Sequence, residues 1–285
     1  MGRRLVILLG LFSMTISSSL VGSAWGSETK ELRVCGDPDN LPFSNKMREG
    51  FENKIAEVIA KELGAELTYY WWPHQRGLIR NTLRAGQCDV LISVPQGWEQ
   101  VLWTKPYYRS GYVIVYPKAR GFQIKSLDDP ILKQLKIGVY INSPPAEALA
   151  EKGIVKNVVG YNLLYDYKQD RPGKIIEDLI AGELDVAAVW GPLAGYSVKK
   201  SKASHLEVVP LVDGSPATPF TFEFSMGVRE GNKALKAQLE EALGKRQAEI
   251  RKVLEDYGVP LLPLLAKQQF GPVKDQPGQI IYHRD

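Results

Sequence analysis

The densest cluster of chemically capable side chains comes early, in "VCGDPDNLPFSN". There Asp37, Asp39 and Asn40 stand between Cys35 and Pro42. Oxygen donors at alternate positions are how a calcium loop begins. An EF-hand loop needs oxygen ligands at positions one, three and five and a glycine at six. Counted from Asp37, position five is Leu41 and position six is Pro42, so the series stops after two ligands. His74, His205 and His283 are isolated from one another, and Cys35 and Cys88 lack the CxxC spacing of a zinc site. No metal site and no cofactor is expected.

Phosphate and nucleophile chemistry fare no better. No GxxxxGK[ST] or GxGxxG motif follows a strand pattern. Ser143, ahead of "PPAEAL", is placed to cap a helix, and the same helix start could face an anion. No Ser or Cys is tied by spacing to an Asp–His pair, so no catalytic residue is assigned. An acid–base enzyme would need a cleft acid such as Asp37 or Glu52 together with a basic anchor for its substrate.

These groups must be positioned by a chain of 285 residues with 44% hydrophobic content, enough for one large domain or two modest lobes around a buried core. Arg3 and Arg4 followed by "LVILLGLFSM" and "SAWGSE" read as a secretory signal peptide over residues 1–26, cut before Ser27. The apolar run is too short for a membrane anchor, and no later run spans a bilayer. An exported, periplasmic protein is expected. Without Arg3 and Arg4 the net charge falls from +4 to +2, and the remaining basic pairs are scattered, which argues against nucleic-acid binding.

Export favours a disulfide between Cys35 and Cys88. The strands argue the other way. Cys35 ends one strand and Cys88 precedes another, and a simple parallel register separates them by more than the roughly 7 Å that a bridge tolerates. A bridge and two separate buried thiols both stand.

Periodicity supplies the elements. "ELRVCG" reads as a strand, "GFENKIAEVIAKELG" as a helix stopped by Gly64, "AELTYYWWP" as a strand, "GLIRNTLRAGQ" as a helix and "CDVLISV" as a strand covered on both faces. "PYYRSGYVIVYPK" reads as a strand split at Ser110 and Gly111. "LKIGVY", "VKNVVGY", "LDVAAVW", "HLEVVPL" and "FEFSMGV" read as further strands, "SPPAEALAEKG" and "GKIIEDLIAGE" as helices, and residues 233–257 as one long helix. The phrases "IRNTLRAGQCDVLISVP" and "IIEDLIAGELDVAAVWGP" share one form, which suggests two α/β lobes built alike. Ligands on such sheets bind outside the carboxyl ends of the strands.

Seven segments, from "LRVCGDPDNLPFS" through "GFENKIAEVIAKELGAELTYYWWP", "LIRNTLRAGQCDVLIS", "TKPYYRSGYVIVY", "LKIGVYINSPPAEAL" and "IIEDLIAGELDVAAVWGPLAGY" to "FSMGVREGNKALKAQLEEAL", resemble the type II periplasmic solute-binding proteins in order. "RVCGDPDNLPFSN", "CDVLISVP", "PYYRSGYV" and "VWGPLAGY" are similar to one branch, the quinoprotein (methanol) dehydrogenase-associated binding proteins of the MxaJ/XoxJ type. The resemblance implies a two-lobed α/β fold with mixed sheets flanked by helices and a cleft between the lobes. It places lobe one at residues 27–109 and 226–265, lobe two at 110–225, a tail at 266–285, and hinges near residues 108–111 and 222–226. It also implies a PQQ-dependent alcohol dehydrogenase as partner, with maturation or activation of that enzyme as the role. The alternatives are a receptor handing a small solute to an ABC permease and a cyclohexadienyl dehydratase-like enzyme.

Two departures matter. Amino-acid binders of this family carry an Arg nine residues before the "PYY" motif and an acid after the second Asp-Val strand. Here those positions are Gly97 and Trp190. A zwitterion taken into a cleft without that charge pair stays unpaid for its lost hydration. Arg76 and Arg109 are the guanidinium groups left to substitute. The cleft residues expected are Asp37, Asn40, Phe43, Trp72, Arg76, Gln96, Trp98, Tyr108, Arg109, Ser143, Tyr165 and Trp190, an aromatic set suited to a neutral ligand or an inserted protein segment.

Overall fold

A computed structural model describes residues 30–162, 173–215 and 218–265. The signal peptide, the tail and Tyr165 lie outside the described residues.

Strand β1 (Glu31–Gly36) turns Leu32 and Val34 into the core. It leaves through a two-residue pair, β2 (Asp39–Asn40) with β3 (Ser44–Asn45), which encloses a cis Leu41–Pro42 peptide. Helix α1 (Phe51–Leu63) follows and buries Phe51, Ile55 and Ile59 completely. Each such side chain contributes roughly 1.5–3 kcal/mol on leaving water. Gly50 is required before it. A Cβ there would lie 2.0 Å from the Phe43 carbonyl oxygen, so only glycine lets the loop pass. Gly64, at φ 60°, ends the helix as the sequence predicts.

Strand β4 (Glu66–Trp71) pairs in parallel with β1. Helix α2 (Leu78–Asn81) is a single turn, shorter than the helix expected from "GLIRNTLRAGQ". Thr82 leaves helical geometry, and its hydroxyl donates back to the Leu78 carbonyl at 2.5 Å, which competes with helix propagation. Strand β5 (Val90–Pro95) is buried along its whole length. After β6 (Leu102–Trp103), β7 (Tyr108–Pro117) runs unbroken through the predicted split at Ser110 and Gly111. Gly111 marks a close approach rather than a break, since a Cβ there would meet the Phe220 carbonyl oxygen at 2.2 Å.

The second half brings β8 (Ile137–Tyr140), α3 (Pro144–Glu151), β9 (Val158–Tyr161), α4 (Lys174–Ile180) and β10 (Val186–Trp190). Helix α5 (Gly191–Lys200) was not read from the sequence. Its start, "GP", places proline in the first turn, where the missing N–H costs nothing. Strands β11 (Leu206–Pro210) and β12 (Thr221–Val228) follow. The long helix predicted over 233–257 is two helices, α6 (Lys233–Lys245) and α7 (Gln247–Asp256). They part at Arg246, whose backbone leaves the helix while its Nε binds Glu62 on α1 at 2.8 Å.

One mixed sheet joins these strands in the order β4-β1-β5-β12-β7-β10-β8-β9, with β6 beside β12 and β11 beside β7. The result is a two-lobed α/β fold whose lobes share two strands. Residues 108–111 of β7 pair with residues 221–224 of β12, and beyond Tyr112 the same strand pairs with β10 and β11.

The chain after α7 lies along this shared region as a strap. The Leu262 N–H donates to the Arg109 carbonyl at 2.9 Å, and Ser110 Oγ donates to the Pro260 carbonyl at 2.7 Å. Leu265 N–H donates to Glu223 Oε1 at 2.6 Å. The strap also meets α5, where a Cβ on Gly195 would lie 1.8 Å from the Gly258 carbonyl oxygen.

Cys35 and Cys88 form a disulfide, with Cα atoms 5.3 Å apart. The register argument against it assumed a straight approach to β5. Val34 does pair with Val90, but the chain bends at Asp89 and brings Cys88 within reach.

Candidate functional site

The carboxyl ends of β1, β4, β5, β8 and β10 carry most of the residues singled out by sequence. Asp37 follows β1 and is 2% exposed. Its carboxylate is spent on the backbone, with Oδ2 accepting from the His74 N–H at 2.6 Å and Oδ1 from the Asp39 N–H at 2.9 Å. The loop read as one wall of a cleft is therefore braced from within. Asn40 stays partly exposed there. Phe43 does not line a mouth; it is 3% exposed and packs its ring 5.1 Å from Phe51 in the core.

Strand β4 carries aromatic pairs on both faces. Tyr69 and Trp71 stack at 4.5 Å on one, and Tyr70 and Trp72 stack at 6.5 Å on the other. Trp72 and Trp98 are half-buried against the cluster that holds the disulfide, Leu78, Ile79 and Leu83. Gln96 follows β5, with its N–H on the Glu223 carbonyl at 2.8 Å. Arg76 is exposed in the loop before α2.

Tyr108 and Trp190 both pack on Phe224 of β12. Tyr108 stacks on Phe224 at 4.8 Å, and Trp190 packs on Tyr112, Phe222 and Phe224 at 5.2, 5.9 and 5.8 Å. Trp190 is only 4% exposed, so most of its ring serves packing. Arg109 is fastened to the strap and to β12, donating from Nη1 to the Pro263 carbonyl and from Nη2 to Thr221 Oγ1. Ser143 stands at the N-cap of α3, yet its hydroxyl donates to the Tyr140 carbonyl at 2.7 Å instead of capping the helix.

Among the described residues three buried polar atoms at these strand ends have no hydrogen-bond partner: Trp72 Nε1, Trp190 Nε1 and Gln96 Oε1. Two are donors and one is an acceptor, and none is charged. Gly97, where amino-acid binders carry Arg, has φ 88°, a conformation that disfavours any side chain.

Close to these strand ends lies a polar cluster that the sequence reading passed over as a unit. Glu52 is 5% exposed on the buried face of α1. Burial pushes its carboxyl up to about 8; a hydrogen bond from Ser93 opposes that and the charge of Asp37 adds to it. Ser93 Oγ lies 3.1 Å from Tyr107 Oη, which donates to the Ile92 carbonyl at 2.9 Å. Burial holds the His74 imidazole below its ordinary range, with Asp37 acting the other way. The signal was available. Glu52 shares the helical stripe of Ile55, Ala56 and Ile59, and an acid in that stripe is buried. Among the described residues no group of three or more His, Cys, Asp or Glu side chains is placed to hold a metal ion.

Residues 32–259 match the bacterial extracellular solute-binding proteins, family 3. Protein MoxJ of Methylorubrum extorquens is 32% identical over 267 residues, covering 88% of each chain. Protein MoxJ of Paracoccus denitrificans is 31% identical over 83% of this chain and 91% of its own. Among solved structures, the periplasmic binding protein XoxJ from Methylobacterium extorquens AM1 is 41% identical, with a TM-score of 0.69 over 82% of this chain and all of XoxJ. An ancestral cationic amino acid solute-binding protein shares the fold at 21% identity and a TM-score of 0.63.

Proposed function

The chain belongs to the bacterial extracellular solute-binding proteins of family 3, and on that premise we propose that it is a periplasmic accessory of a PQQ-dependent methanol or alcohol dehydrogenase. It binds a segment of that enzyme at the mouth between its lobes and supports maturation or activation without catalysing a reaction itself. The observation that carries this is the absence of charge at two strand-end positions, Gly97 at φ 88° and Trp190 4% exposed, where the family's amino-acid binders hold charge. A peptide segment brings backbone N–H and C=O groups, which Gln96 Oε1 and the indole N–H groups of Trp72 and Trp190 are suited to meet. The likeness to MoxJ and XoxJ over more than four-fifths of the chain points the same way.

The test is capture of partners by the tagged full chain from the periplasm of methanol-grown cells. Recovery of a quinoprotein dehydrogenase is expected. Recovery of an ABC permease instead would favour the second reading, a receptor for a small neutral solute, which the same uncharged donors and acceptor would also serve. A dehydratase is less well supported, because Asp37 and Glu52, the acids it could use, are both buried, and the Asp37 carboxylate is bound to backbone N–H groups.

A further inference from the structure

A cavity of about 460 Å³ opens beside the shared strands, and Tyr108 and Arg109, expected in the cleft, line it. Its walls are the start of β7, one face of α7 and the strap. Leu254, Leu261 and Leu264 make most of the surface apolar, with Arg109, Arg251 and Gln247 as the polar groups. The size falls in the roughly 300–1,000 Å³ range of small-molecule sites.

The charges there do not cancel. Arg251 pairs with Glu255 at 2.9 Å and is neutralised by it. Arg109 is part-buried and makes no ion pair among the described residues; its bonds go to the Pro263 carbonyl and the Thr221 hydroxyl, while Glu223, opposite it in register on β12, gives Oε1 to the Leu265 N–H. A guanidinium carries five N–H donors in a planar fork, so donors remain after those two bonds. An unmatched guanidinium beside leucine side chains selects an anion that can be gripped by two oxygens and carries an apolar body.

We propose that this cavity binds a monocarboxylate with an apolar chain, Arg109 holding the carboxylate, and that occupancy fastens the strap to β7. Because β7 passes between the lobes, such a ligand stiffens the region about which they move.

Calorimetric titration of the full chain with sodium octanoate and with 1-octanol tests this. Octanoate should bind one-to-one and about tenfold more tightly than the alcohol, the difference a charge-assisted hydrogen bond makes. Amide exchange at Leu262 should slow when octanoate is bound. Arg109→Gln should bring octanoate down to the level of octanol, and Ala248→Phe, which fills the cavity from α7, should weaken both. Should Arg109→Gln lose its fold by circular dichroism, Ala248→Phe decides alone. Equal affinity for acid and alcohol, no octanoate binding at millimolar concentration, or unchanged binding in Ala248→Phe overturns the proposal. Each of these outcomes is independent of whether a dehydrogenase is captured.

Discussion

Asp37 Oδ2 accepts a 2.6 Å hydrogen bond from the backbone N–H of His74, so the loop leaving β1 is fastened to the loop leaving β4. The same carboxylate accepts from the Asp39 N–H, and the residue is 2% exposed. Asp37→Ala strands two backbone donors and should cost about 3 kcal/mol. Asp37→Asn keeps an acceptor oxygen and should cost about 1 kcal/mol. Urea unfolding of both variants measures the difference; an alanine variant as stable as the parent would remove the brace from the account.

Glu52 makes stability depend on pH. Its carboxyl rises to about 8 in the fold from the 4.5 of a free glutamate. Between those values the folded protein keeps a proton that the unfolded chain releases, so this group's contribution to stability falls as pH rises through the window. Glu52→Gln removes that slope. The variant should exceed the parent in stability at about pH 8, by on the order of 4 kcal/mol, and match it near pH 4.5. His74, held below its ordinary range, supplies the opposite slope in both proteins, with stability lost as pH falls below the pKa of a free histidine. Thermal melts across pH give both slopes, and identical curves for parent and variant would contradict the buried state of Glu52.

The disulfide closes a sequence separation of 53 residues. Cross-linking a loop of that length restricts the unfolded chain by about 4 kcal/mol. Reduction, or the pair Cys35→Ser and Cys88→Ser, should lower stability by that order. Intact mass with and without reductant establishes the bond, and an unchanged mass would exclude it. Trp72 and Trp98 pack against the same cluster, so their fluorescence should change on reduction.

Ordinary α-amino acids should give no binding signal in calorimetry. Losing a bidentate guanidinium and its opposing acid costs several kcal/mol, and neither Gly97 nor Trp190 replaces them. Arg109, a candidate substitute, lines the cavity beside the strap instead. Micromolar binding of any amino acid would show that another residue, such as Arg76, completes a charge clamp.

Sequence was a good guide wherever one local rule decided the outcome. The stripe of Phe51, Ile55 and Ile59 and the stop at Gly64 gave α1, and the all-apolar "VLISV" gave a buried strand. It failed where a distant partner decided. Gly111 looked like a break until the Phe220 carbonyl was seen against it. Residues 233–257 looked like one helix, yet they part at Arg246, whose side chain pairs with Glu62, far away in the chain. Of the site, the strand ends were legible but side-chain directions were not. Phe43 turns inward and Arg109 binds the strap, both because of residues contributed by other elements.

The sharing of β7 and β12 also dictates an order of assembly. Among the described residues, every strand of the second lobe's sheet is supplied between residues 113 and 210. The first lobe sets β12, residues 221–228, beside β5 in the middle of its sheet. As the chain emerges vectorially, the half that begins first must therefore be completed last. A nascent chain cut short before Val228 can close its later lobe while its earlier one waits, open-edged, for a strand not yet made.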